Sequence, residues 1–113
     1  MAHARQITFY TVGRFEKRLV KAAGQGAMDG LKALLRVTPD AGDVIVGSGG
    51  ARKLRYARPG TGKSGGLRVI YYYQDDKGNI WLLDLYAKSL KGNLSDAETN
   101  DLKDLIKSIK EKK

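Results

Sequence analysis

Apolar positions recur along this chain in two periods. Over Gln6 to Tyr10, Ile7 and Phe9 share one face of an extended segment, which predicts a short strand. The spacing then lengthens. Phe15, Leu19 and one of Ala22 or Ala23 make the stripe of a helix that starts near Gly13, capped by Thr11 and ended by Gly24-Gln25-Gly26. Met28, Leu31, Leu34 and Leu35 predict a second helix over Ala27 to Val37, so the two form a helical hairpin. Gly30 costs that helix roughly 1 kcal/mol relative to Ala, a cost that close packing against a neighbour would explain. Residues 38 to 43 read as a turn, and Val44 to Val46 as a short extended piece before the "GSGG" of 47 to 50.

Period two returns at Arg52 to Arg58, with Leu54 and Tyr56 on one side and Lys53 and Arg55 on the other. Leu67 to Tyr73 is rich in β-branched and aromatic residues and predicts a second strand of this run. "QDDKGN" at 74 to 79 is a hairpin turn, and Ile80 to Ala87 the third strand. That third strand is apolar on both faces apart from Asp84, which predicts a central position covered by helices. Ser95 and Glu98 form a capping box for a last helix, whose inward stripe reads Ala97, Leu102, Leu105, Ile106 and Ile109. The order is β-α-α-β-β-β-α. It predicts an α+β fold: an antiparallel sheet with an N-terminal helical hairpin and a C-terminal helix, in a single domain over residues 1–113.

Composition narrows the function classes. Hydrophobic residues at 42% and charged residues at 29% suit a soluble globular protein. With no cysteine, thiol catalysis and thiolate metal sites are excluded, and His3 alone cannot form a histidine pair. No cofactor is expected. No apolar run approaches the length of a membrane span and the N-terminus has no secretory signal, so a cytoplasmic protein without membrane partners is expected. The formal charge is +9 and unevenly placed. Between Asp43 and Asp75 no acid occurs, while Arg52, Lys53, Arg55, Arg58, Lys63 and Arg68 all fall there. This is the footprint of a nucleic-acid binder, although an acidic protein partner would suit it too.

"ARPGTGKSGG" at 57 to 66 imitates a nucleotide-binding phosphate loop. It lacks the leading glycine, where Ala57 stands, and it runs into a strand when the motif must open a helix. It reads as a glycine-rich hairpin loop, whose Lys63, with Arg58 and Arg68 beside it, can close on an RNA backbone. The hairpin sets Lys53 and Arg55 beside Arg68, and Tyr72 shares the face of Arg68. Tyr86 and Lys88 end the third strand, with Lys91 beyond them.

Residues 42 to 98, above all the glycine-rich hairpin with "LRVIYYY" and the later "YAK" and "LSDAE", resemble the RelE/HigB family of toxins from toxin–antitoxin pairs, and most closely its HigB2-like branch. The resemblance extends from about Phe15 to Ile109. It implies a RelE-like fold and a ribosome-dependent endoribonuclease that cuts mRNA in the ribosomal A site. The implied partners are mRNA, the ribosome and a cognate antitoxin encoded beside the toxin. The family's basic pair falls on Lys53 and Arg55, with Arg52 able to slip into that register, its strand-opening arginine on Arg68, and its basic residue after the third strand on Lys88. Some relatives place a catalytic tyrosine later still, and this chain has none after Tyr86.

RNA carries its own nucleophile, the 2′-hydroxyl, so such a site needs alignment, charge stabilisation and proton transfer. Arginine suits the equatorial phosphate oxygens, and lysine can release a proton where neighbouring cations disfavour its charge. The catalytic candidates are therefore Lys53 as base or 2′-hydroxyl activator, Arg55 and Arg68 as phosphate clamps, and Lys88 as second clamp or leaving-group partner. Arg52, Arg58, Lys63, Tyr72, Tyr86 and Lys91 are the RNA-binding candidates. A domain that holds RNA or the ribosome without cutting, or one that only binds an acidic protein, fits the same residues.

Overall fold

The structure, a computed structural model, describes residues 6–56 and 66–111. Its element order is β1 (Thr8–Thr11), α1 (Phe15–Ala23), α2 (Ala27–Val37), β2 (Asp43–Val44), β3 (Ala51–Tyr56), β4 (Leu67–Gln74), β5 (Asn79–Ala87) and α3 (Asp96–Glu111). The strands form one sheet in the order β1-β5-β4-β3-β2. Strands β2 to β5 pair antiparallel as expected. β1 lies parallel to β5, Thr8 opposite Asn79, so the sheet is mixed rather than wholly antiparallel. The helical hairpin between β1 and β2 returns the chain to the far edge of the sheet, which permits this pairing.

Two cores sandwich the sheet. Phe15, Leu19, Met28, Leu31 and Leu35 of the hairpin pack on Leu54, Val69, Tyr71, Ile80 and Leu82. Leu102, Ile106 and Ile109 of α3 pack on Ala51, Ile70, Tyr72 and Leu83. β5 is therefore covered on both sides, as its doubly apolar sequence requires. Three expectations need correction. Thr11 ends β1, and Arg14 is the residue before α1, without a side-chain cap. Ala97 is exposed in the first turn of α3, outside the buried stripe. Leu34 lies at the edge of its stripe, 38% exposed. The capping box holds: Ser95 N–H donates to Glu98 Oε1 at 2.9 Å and Glu98 N–H to Ser95 Oγ at 3.1 Å.

Small residues fix the connections. A Cβ on Gly30 would stand 2.7 Å from the hydroxyl of Tyr56, which donates to Ala27 O at 3.1 Å. The glycine lets α2 settle on β3. In the "GSGG" loop Ser48 is fully buried, donating to Ile45 O at 2.6 Å and accepting from Ala51 N–H at 2.9 Å. Gly47, Gly49 and Gly50 there take positive φ, which fits glycine. Among the described residues no helix is long and apolar enough to cross a membrane.

Candidate functional site

Strand alternation divides the bases of β3 between the two faces. Lys53 and Arg55 share the α3 side with Ala51. Arg52 shares the face of Leu54, where its Nη1 donates to Gly42 O at 2.7 Å and Asp40 O at 3.3 Å. The structure thus separates Arg52 from Lys53 and Arg55.

The register builds a row. Arg55 stands directly opposite Arg68, and Arg68 directly opposite Tyr86. Directly paired side chains in such a ladder have Cβ atoms about 4.5–5.5 Å apart. Arg68 is only 8% exposed. The ion pairs among the described residues are Arg18–Asp84 and Lys91–Glu98, and neither involves Lys53, Arg55 or Arg68. Like charges directly opposite one another repel, and burying a guanidinium without a counter-charge is costly. An anion seated on the row reverses both terms, and phosphate oxygens match the guanidinium fork.

Tyr86 reaches this row through a β-bulge. The β4–β5 register shifts between Ile70 and Tyr71, so Ile70 faces Asp84 while Tyr71 faces Leu82. The extra residue changes the phase of β5 and places both Trp81 and Tyr86 on the α3 side. The Tyr86 hydroxyl is buried and has no hydrogen-bond partner among the described residues. Burial pushes its pKa up, Arg68 and Lys91 pull it down, and Glu98 pushes it up, for a net rise. The Lys91 ammonium lies 5.3 Å from the ring centroid and is paired with Glu98. That pairing and the Ser95 N–H hold the Glu98 carboxyl at about 2.

Lys88 is exposed just beyond β5, and its N–H donates to Gly66 O at 3.3 Å. The bond places Lys88 at the same end of the sheet as Arg68. Tyr72 shares the face of Arg68 but lies four residues along β4, 9% exposed and packed with Ala51 and Ile106 under α3. Lys110 sits over its ring at 5.8 Å. The register sets Arg55, Arg68 and Tyr86 side by side, with Lys53 two residues along β3 on the same face, Lys88 just beyond the end of β5 and Lys91 at the margin, and it leaves Tyr72 and Arg52 apart. Arg58 and Lys63 lie outside the described residues, as do all of residues 57–65. The segment that follows them is the strand β4 and not a helix.

Sequence reasoning missed two contacts around the row. The capping box located Glu98 but gave no sign that it also binds Lys91. Asp84, the acid within β5, is taken up by α1: Arg18 Nη1 donates to its Oδ1 at 2.5 Å and Arg18 Nη2 to Leu85 O at 2.6 Å. Only the placement of α1 across the strand could reveal that pair. Compared with models of known protein families, residues 17–113 match the one described as "RelE toxin of RelE / RelB toxin-antitoxin system".

Proposed function

The chain belongs to the RelE toxin family, and from that premise we propose that its cationic row binds the scissile phosphate of mRNA and promotes metal-independent cleavage in the ribosomal A site. The observation that carries this reading is Arg68: nine-tenths buried, facing another arginine, with no acidic partner among the described residues. Such a group is preorganised for an anion and pays no reorganisation when charge develops on it. In this reading Arg55 and Arg68 hold the non-bridging oxygens. Lys53, on the same face and one alternation away, takes the proton of the 2′-hydroxyl. The 2′-oxygen–phosphorus bond forms, the phosphorus–5′-oxygen bond breaks, and a 2′,3′-cyclic phosphate remains. Lys88 donates a proton to the leaving 5′-oxygen, and Arg58, Lys63 and Lys91 contact flanking phosphates. The glycine-rich hairpin supports a place in the HigB2-like branch, and the family supports a cytoplasmic toxin neutralised by a cognate antitoxin.

A site without histidine has little acid–base power of its own and gains from RNA geometry imposed by the ribosome. The test is purified ribosomes programmed with mRNA, beside the same RNA free in solution. Cleavage on the ribosome and little or none of free RNA is the expected result. Rapid degradation of free RNA without ribosome-dependent cleavage contradicts it.

A further inference from the structure

Tyr56 and Tyr71 tie helix and turn to the sheet by donating to backbone carbonyls, Ala27 O at 3.1 Å and Pro39 O at 2.8 Å. Tyr86 is built differently. The Lys91 ammonium lies over its ring, 5.3 Å from the centroid, and Lys91 is itself held by Glu98. The hydroxyl is shut off from solvent and meets no acceptor among the described residues. Burying a hydroxyl without a partner is costly, and folded proteins nearly always supply one. The charged groups that act on this hydroxyl are Arg68, Lys91 and Glu98. Guanidinium and ammonium carry donors only. The oxygens of Glu98 are engaged, Oε2 by Lys91 and Oε1 by the Ser95 N–H. The raised pKa keeps the proton on the phenol at neutral pH, so it is a donor lacking an acceptor. The residue as a whole is only partly buried and Lys91 is a surface side chain, so a ligand need not cross the core to reach it.

Its position selects the acceptor. Tyr86 stands directly opposite Arg68, which stands directly opposite Arg55, so the phenol closes one end of the row. A water would satisfy the hydroxyl and leave the buried guanidinium without a counter-charge. An anionic oxygen answers both, and a tetrahedral phosphate offers enough oxygens for the arginines and the phenol together. We propose that the Tyr86 hydroxyl is the neutral donor of the phosphate site, giving its hydrogen bond to a non-bridging oxygen of the RNA phosphate that Arg68 holds. The proposal rests on the reading that the row binds the scissile phosphate, and it adds a donor beside the two arginines. The phenol keeps its proton throughout. Its hydrogen bond strengthens as charge grows on that oxygen, so the contact favours the transition state over the bound substrate.

Tyr86→Phe isolates the hydroxyl, because the ring under Lys91 stays, and near-UV circular dichroism verifies the fold. The first measurement follows the carbon-13 signal of the tyrosine Cζ, the carbon bearing the hydroxyl, in the full chain, with the Tyr86 signal assigned by its loss in Tyr86→Phe. The probe is a single-stranded RNA of roughly 12 nucleotides, 2′-O-methylated throughout so that it has no nucleophile. The Tyr86 signal is expected to move saturably with this RNA, and to stay fixed in Arg68→Ala at matched occupancy. A signal that the RNA leaves fixed, or moves equally without Arg68, overturns the proposal. The second measurement is single-turnover cleavage on programmed ribosomes at saturating protein. Tyr86→Phe is expected to cleave about tenfold or more slowly with ribosome binding unchanged, and a wild-type rate overturns the proposal. Sulfur replacing one non-bridging oxygen of the scissile phosphate separates contact from packing. In one diastereomer it should slow the wild type more than Tyr86→Phe, and equal sulfur effects in both proteins for both diastereomers overturn the proposal. If the RNA moves the Tyr86 signal while the wild type fails to cleave, the donor stands and only the cleavage reading falls. If the wild type cleaves while the signal stays fixed, only the donor falls.

Discussion

Tyr71 and Tyr86 sit on neighbouring strands with their hydroxyls in opposite situations. Tyr71, fully buried, donates to Pro39 O at 2.8 Å and accepts from Gly42 N–H at 2.9 Å, tying the turn after α2 to the sheet. Tyr86 has no such partner among the described residues. Tyr71→Phe strands two backbone groups and is expected to cost about 1–3 kcal/mol, whereas Tyr86→Phe removes an unmet hydroxyl and leaves stability unchanged or raised by up to ~1 kcal/mol. Urea denaturation of both variants checks the contrast, and equal losses would show that the Tyr86 hydroxyl has a partner. Alternation in the sequence already grouped Lys53 with Arg55. It could not place Tyr86 beside Arg68. A bulge leaves no local mark in a strand as uniformly apolar as β5, yet it decides which way every residue beyond it points.

Among the elements, α2 and α3 were legible because their signals are local: stripes at three and four residues, a capping box and glycine stops. β1 was legible as a strand but not in its pairing, since its parallel partner β5 lies at the other end of the chain and nothing in four residues names it. Gly30 is a position where local propensity and packing oppose each other. Gly30→Ala is expected to gain up to ~1 kcal/mol from helix propensity in a Tyr56→Phe background and to gain nothing, or lose, when the Tyr56 hydroxyl is present. Denaturation of the four proteins of this cycle measures the coupling, and an equal gain in both backgrounds would contradict the contact. At the start of α3, the carboxyl of Glu98 falls from its ordinary 4.5 to about 2. A depressed folded-state value means the contribution is present above the ordinary carboxylate range and is lost as pH falls through about 2. A pH series of melting temperatures should therefore show wild type losing more between pH 4.5 and 2 than Glu98→Gln. Matching profiles would mean that the Lys91 pairing is absent in solution.

Across the whole molecule, the +9 charge is divided by the fold into surfaces of different character. One is the row on the α3 face, where a buried arginine is opposed by another. A second is the α1 edge, where Lys21 and the ion-paired Arg18 border an apolar cleft. Binding at the row should weaken steeply with salt, because phosphate contacts release counterions. The Lys53–Arg55–Arg68 grouping was legible from strand alternation and the hairpin, while the burial of Arg68 leaves no mark in the local pattern of β4. The direct measurement is single-turnover cleavage of mRNA on programmed ribosomes by Arg68→Ala at saturating protein, with ribosome binding measured in parallel and folding verified by circular dichroism and melting. The expected result is a cleavage rate lower by roughly 100-fold or more with binding little changed, because the proposed contact matters most in the transition state. A folded Arg68→Ala that cleaves at the wild-type rate once saturated would contradict it and leave the row a docking surface only.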